Sequence, residues 1–515
     1  MKKIAINTIL LFFLTAVASA QIVTTDLLEL AGLDYTNGKE IYARKYEFKN
    51  LIFNSEVDST FNTLTLQLRD IKSNGKYYKN TGQLAVFDLV SKEIKWSFDI
   101  NYMNAGIEQY DDVLFYNVGL GSTSRIQLTT GNTLWNSKVV IFATIPNLNI
   151  GLGYKYNSFS QQFANNLTAI DLNSGATLWE RKIDRSNGWD GIKNLNDTAL
   201  IIKASGLHHV NIITGEGWDY DLKTGIRDYS KTVGANVAGI ALGLLTGSFM
   251  VTTGHDLISN LVSNLPNDST CMYFASKDYL SCLTQSGKVL WRTELSKETS
   301  HSNILMDSVN VYLINDGEAL YNGKSHNYGK PYFAAYNKLT GAEQYLSIMD
   351  IDKNPVIRFI NGEDSVDLIF KDRIVQFSKK TGLQKTKMID PVQYGSIEFV
   401  VDRYTVYLKK DSVFQALCDY DPRAFYLKTN KGKVLKLDRY MNIESEINMA
   451  DLCAVRAGNE KLSVVYHNDK ALVLNEKNKA IAELNIGKRL FFYKNSLYGI
   501  DKNTITEIEM GKIFN

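Results

Sequence analysis

Short apolar runs separated by polar turns fill almost the whole chain. Residues 113–116, 199–202, 309–313, 405–408 and 462–466 are each four or five residues long and rich in β-branched and aromatic side chains. Helical periodicity is scarce. Short strand-like runs at regular spacing, closed by turn signals, predict an all-β fold.

One phrase recurs along this pattern. Residues 167–179 read Leu-Thr-Ala-Ile-Asp-Leu-Asn-Ser-Gly-Ala-Thr-Leu-Trp, and close variants occupy 84–96, 126–135 and 280–291. In the clearest copy an apolar strand ends at Asp171, whose carboxylate can accept hydrogen bonds from backbone N–H groups two residues on. Gly175 supplies the positive φ of a tight turn, and a second strand over 176–183 carries Trp179. Asp88 begins the turn of the first copy, and Gly131, Gly287, Gly341 and Gly382 stand where Gly175 stands. Trp96, Trp135 and Trp291 match Trp179; Tyr345 and Thr386 take its place after Gly341 and Gly382, and Trp218 comes one residue early. Register turns fall near 92, 131, 175, 215, 287, 341, 382, 442, 478 and 503. A period of about 40 residues, at four strands per unit, predicts a β-propeller. Some of these turns are expected to lie within a blade rather than between blades, which gives a single closed ring of eight four-stranded blades, with seven or nine as alternatives. A copy of the phrase at Asp34–Gly38 is placed to donate a strand to the last blade.

The Ala-x-Asp-x-x-x-Gly-x-x-x-Trp phrase resembles the repeat of quinoprotein-like propellers, the PQQ-like repeat proteins, over most of 80–390 and more weakly to 507. The resemblance implies that Trp96, Trp135, Trp179 and Trp291 pack between adjacent blades, where a buried indole contributes a large apolar area. The enzymatic branch of that family oxidises alcohols or aldehydes with pyrroloquinoline quinone and calcium, and carries a disulfide between adjacent cysteines. This chain has no adjacent cysteine pair, and its metal ligands and base match no position. The repeat carries over; the catalytic centre does not. No cofactor is expected, with the quinone and calcium belonging only to an alternative reading as a periplasmic oxidoreductase.

Residues 1–20 read as a secretory signal peptide: Lys2 and Lys3, an apolar run over 9–14, and Ala18-Ser-Ala20 before a mature start at Gln21. The residue immediately after the cleavage point is Gln21 and not cysteine, so a periplasmic or extracellular protein without a lipid anchor is expected. Removing 1–20 takes away two lysines and no acid, which leaves 55 basic and 55 acidic residues. A neutral mature chain argues against a nucleic-acid partner, whose phosphates need clustered cations. Export permits disulfides, and Cys271 with Cys282 flanks a hairpin that can bring the two across a strand pair; two buried thiols are the alternative. Cys418 with Cys453 is a weaker pairing.

The 72 residues from Gly215 to Gly287 exceed one repeat by about 30, and the excess at 231–265 is different in kind. From Thr232 to Gly254 there is no charge, and Gly239, Gly243 and Gly247 recur every four residues. That spacing lines one face of a helix and lets another backbone approach. Repeat copies on both sides must share one ring, so a spanning helix is excluded. The insert instead packs on its own propeller or a protein partner, or touches a membrane surface through 232–265.

Candidate chemistry is sparse. His208 and His209 point to opposite faces of a strand, and His255-Asp256 ends the insert. No zinc, calcium-loop or nucleophile-elbow motif occurs. The expected function is that of a secreted envelope propeller that offers its faces or channel to a protein partner; the alternatives are the oxidoreductase or a carbohydrate- or peptide-binding propeller.

Overall fold

The computed structural model describes residues 22–512 apart from 73–77, 104, 119–120, 158–161, 186–190, 205, 222–262, 298, 322–323, 351–355, 402–405, 411–412, 417–423, 450–451 and 468. The signal segment 1–20, residues 231–262 of the insert with His255, and Cys418 lie outside the described residues.

The described residues form antiparallel sheets, with 3-10 turns such as Pro146–Leu148 and Met510–Lys512 and no α-helix. No described helix is long and apolar enough to cross a membrane. Eight sheets follow one another along the chain: 51–101, 106–137, 139–182, 191–221, 271–294, 302–348, 358–388 and 397–448. Seven have four strands, and the fifth has three. The two ends of the chain, with the hairpin of Val406–Lys410 and Val413–Ala416, gather into a further sheet of eleven strands. Within it, 452–484 contributes one run of four strands, and 489–509 contributes three more to which Glu40–Phe48 adds a fourth. The strand Glu40–Phe48 runs antiparallel to Thr504–Glu509, with Tyr46 opposite Ile505. Eight uniform blades therefore do not describe these sheets. The turns from 92 to 478 each join the last two strands of a different four- or three-stranded unit, so none shares a unit with another.

Inner faces of neighbouring sheets build shared cores. Leu84, Val86 and Ile100 of the first sheet pack with Leu114 and Ile126 of the second. Leu152, Leu167 and Ala169 of the third pack with Leu200, Ile202 and Val210 of the fourth. The series continues through Tyr312, Phe333, Leu368 and Phe377 between the sixth and seventh. At the chain ends, Tyr46, Phe48, Tyr498 and Ile505 pack against Leu64, Leu66 and Phe87 of the first sheet. Burial of these alternating apolar positions is the main favourable term in the fold.

In many of these turns the first side chain accepts from the turn backbone. The carboxylate of Asp88 accepts from the backbone N–H groups of Val90 and Ser91 at 2.7 and 2.9 Å. Asp171 accepts from Ser174 at 2.7 Å, and Asn211 and Asn337 make the same contacts in their own turns. The glycine that ends each turn then meets an aromatic ring from the preceding sheet. Gly131 sits against Trp96, Gly175 against Trp135, Gly215 against Trp179, Gly287 against Trp218, Gly341 against Trp291 and Gly382 against Tyr345. At Gly215, with φ of +76°, an added Cβ would stand 2.6 Å from the Trp179 ring, inside van der Waals contact. The same rings donate to a carbonyl of the next sheet: Trp96 to Leu128 at 2.7 Å, Trp135 to Leu172 at 2.9 Å, Trp179 to Ile212 at 3.0 Å and Trp291 to Lys338 at 3.0 Å. Trp218, despite its early position, donates to Gln285 at 2.8 Å, and the Tyr345 hydroxyl donates to Lys379 at 2.7 Å.

The first turn departs from this scheme in an informative way. Lys92, with φ of +65°, stands where later turns carry glycine. Its ammonium group reaches Glu507 of the last strand at 2.7 Å. Tyr498 and Tyr46 donate to the same carboxylate at 2.6 and 2.8 Å. Burial would raise the Glu507 carboxyl, but Lys92 and the two phenols hold it below its usual range. This cluster ties the chain ends to the first sheet. Its stabilising effect is present above the ordinary carboxylate pKa and is lost as pH falls through the lowered one. At pH 7, Glu507→Gln should cost about 3 kcal/mol in urea denaturation because it leaves Lys92 facing a neutral group. The deficit should shrink only as pH falls below the ordinary carboxylate range and through the lowered Glu507 value, where the wild-type carboxylate is also neutralised.

Candidate functional site

The aromatic-on-glycine contact joins the first seven sheets one to the next and is absent between the seventh and eighth, where Met441 holds the positive-φ place of the turn. In the sixth sheet a bulge at Gln344 places Tyr345 opposite Ala335. Similar shifts precede Trp96, Trp179 and Trp291. The seventh sheet pairs without a shift: Phe377 with Gln384, Gln376 with Lys385 and Val375 with Thr386. Thr386, which by spacing takes the aromatic position, therefore lies opposite Val375, a residue of the core shared with the sixth sheet. Lys385 and Thr386 are both exposed, so neither side chain fills the junction.

A polar pair occupies the interior instead. Asp367 and Gln376 are cross-strand neighbours, and the Gln376 amide donates to Asp367 Oδ1 at 2.8 Å. The same amide lies 3.4 Å from the Arg439 carbonyl. Arg439 follows the turn-initiating Asp438 just as Leu172 follows Asp171 and Lys338 follows Asn337. Gln376 thus donates, weakly, to the carbonyl position that an aromatic ring engages at the other junctions. Without a ring, a groove of about 1390 Å3 opens between the two sheets, with Asp367 and Gln376 inside and Leu383, Arg439 and Tyr440 at its edge. Arg439 stacks on Tyr440, with its guanidinium 4.5 Å from the ring.

Asp367 is only 7% exposed. Burial pushes its carboxyl up to about 6, against the partial opposition of Gln376. No cation contributes to holding it ionised. A buried carboxylate with a shifted pKa in a cleft is a functional-site signature.

The residues singled out from the sequence fall elsewhere. Asp88, Asp171, Gly131, Gly175, Gly287, Gly341 and Gly382 build turns, and Trp96, Trp135, Trp179 and Trp291 join sheets. Cys271 and Cys282 are buried free thiols. The strand register corrects their direct facing: Cys271 lies opposite Thr284 and Cys282 opposite Tyr273, which makes the cysteines diagonal neighbours. His208 is buried and its Nδ1 lies 2.7 Å from Asp219, while His209 stacks on Trp218 with ring centroids 5.5 Å apart. Burial, followed by the nearby Arg181, lowers the His209 pKa. Among the described residues no three His, Cys, Asp or Glu side chains converge to hold a metal ion. With no adjacent cysteines either, the described residues do not fit the quinone–calcium centre of the enzymatic branch. Sequence reasoning missed Asp367 and Gln376. The available signal was two polar residues, each at a strand position where the sixth sheet carries Tyr312 and Ala335.

Residues 73–257 match the family model described as outer membrane protein assembly factor BamB. The match covers about a third of the chain and is consistent with a PQQ-like repeat there. Among solved structures, BamB from Moraxella catarrhalis is similar at 13% identity and a TM-score of 0.33, covering 75% of this chain and 98% of its own. The dihydro-heme d1 dehydrogenase NirN is similar at 8% identity, a TM-score of 0.33 and coverages of 77% and 75%. A eukaryotic initiation factor is similar at 9% identity, a TM-score of 0.35 and coverages of 79% and 96%. No curated protein matches the sequence. Likenesses at these TM-scores leave the functional reading to the family match and the chain's own residues.

Asp367 sets a clear stability test. Below about pH 4 its carboxyl is protonated folded or unfolded and costs nothing, whereas above 6 the fold must hold a buried charge. Asp367→Asn should therefore stabilise the protein by up to about 3 kcal/mol at pH 8 and by almost nothing at pH 4, as read from urea midpoints. An equal effect at both pH values would contradict the assignment.

Proposed function

We propose that the chain acts in the cell envelope as a non-catalytic propeller scaffold that binds a protein partner. In this reading residues 1–20 direct export, residues 21–515 work as one ring, and no cofactor takes part. The observation that carries the reading is the match of residues 73–257 to the BamB family model, whose description names an outer membrane assembly factor. Two features support it. The turn tips of the sheets present exposed apolar side chains, among them Val90, Ile213, Leu339 and Tyr440. The groove beside Asp367 offers concave surface at one of the same ends. In a ring, the pairing of Glu40–Phe48 with Thr504–Glu509 would serve as the joint between the two chain ends.

A photo-crosslinking amino acid placed singly at positions 90, 213, 339 and 440 in the source cell tests this reading. The expected result is one discrete envelope-protein adduct from neighbouring tips, lost when residues 1–20 are deleted. Absence of any adduct, or dye reduction with simple alcohols by the purified protein given the quinone and calcium, would overturn it.

A further inference from the structure

The groove between the seventh and eighth sheets holds a specific chemical demand. Asp367 is 93% buried from its 7% exposure, and it lines the groove. Its Oδ1 accepts from Gln376, and its Oδ2 has no partner among the described residues. The charged groups that share the groove, Arg358, Glu363, Asp364, Lys385 and Arg439, leave it uncompensated. Arg358 and Lys385 are exposed at the mouth, and Arg439 turns onto Tyr440. A buried carboxylate without a cation is costly unless something supplies one. Flanking it, Leu383 is 74% exposed and Tyr440 is 54% exposed, both at turn tips that line the groove. An apolar rim around one buried acid is complementary to an apolar segment carrying one base.

We propose that this groove docks a segment of a partner protein in which a single Lys or Arg lies between apolar residues, the cation closing on Asp367 and the apolar residues seating on Leu383 and Tyr440. The missing aromatic ring makes the room: the position that seals the six junctions between the first seven sheets becomes a receptacle. The proposal rests on the scaffold reading and names the chemistry its partner must present. Because Asp367 ionises near pH 6, docking strengthens as pH rises from 5 to 7.5.

A library of fluorescent nonapeptides with Arg, Lys, norleucine or Glu fixed at the centre and Leu, Val or Ser at the flanks provides the probe. Fluorescence polarisation should show at least tenfold tighter binding of the Arg or Lys peptides than of the norleucine peptides at pH 7.5, and a weaker preference at pH 5. Asp367→Asn should abolish that preference while urea midpoints stay at or above wild type, which separates lost recognition from lost folding. Leu383→Ser and Tyr440→Ser should weaken all cationic peptides at least threefold and leave the preference for the cation intact. Equal binding of norleucine peptides, a preference retained in Asp367→Asn, or no binding by any member would overturn the proposal. Crosslinks from the turn tips that persist alongside such a result would leave the scaffold reading standing, whereas their absence would remove the scaffold itself.

Discussion

Contact between an aromatic ring of one sheet and the turn glycine of the next organises this molecule. Two requirements meet at the same residue. The turn needs positive φ, and the neighbouring ring needs the space that a Cβ would occupy. The ring then donates to a carbonyl one residue past the turn's first side chain, so distance and orientation between sheets are fixed together. A Trp delivers this with a large buried area and one donor; Tyr345 shows that a phenol serves as well. Since each sheet touches chiefly its neighbours, the fold is a chain of such pairwise junctions, as in other repeat proteins.

The junctions that depart from the rule are where the molecule acquires individual character. Between the last strands and the first sheet, Lys92 and Glu507 with two phenols replace the ring-on-glycine contact. Between the seventh and eighth sheets, the Asp367–Gln376 pair keeps the carbonyl contact and gives up the filling. The first exchange makes a buried ion pair that joins distant parts of the chain. The second opens a groove with an unneutralised acid, a local cost in stability of the kind found at binding sites. A scaffold built from near-identical units needs such an irregularity to offer a partner one address rather than many.

Much of this was legible in the sequence because the repeat phrase combines period-2 strands with fixed turn chemistry. Asp171 and Gly175 announce a turn, and Trp179 announces a junction, through local rules that tertiary context does not override. The number of sheet units was harder. Turns near 478 and 503 carry Asn and Lys in the positive-φ role, and the strand that completes the last unit comes from the opposite end of the chain. The groove was not legible. Gly382 to Thr386 keeps the spacing of Gly341 to Tyr345, and only the missing bulge moves Lys385 opposite Gln376. A bulge is a property of strand pairing and leaves no mark in residue spacing. Trp218 shows the converse, since a shifted letter still reaches its glycine.

The most direct test of the ring-on-glycine account is a double-mutant cycle on Trp179 and Gly215. Gly215→Ala alone should cost several kcal/mol, on the order of 3, because it adds a clash to the strain of positive φ. In a Trp179→Ala background the same change should cost only the backbone strain, about 1 kcal/mol, which gives a coupling of about 2 kcal/mol in urea denaturation. Additive costs would show that the glycine serves its own turn alone, and would contradict the claim that it spaces the sheets.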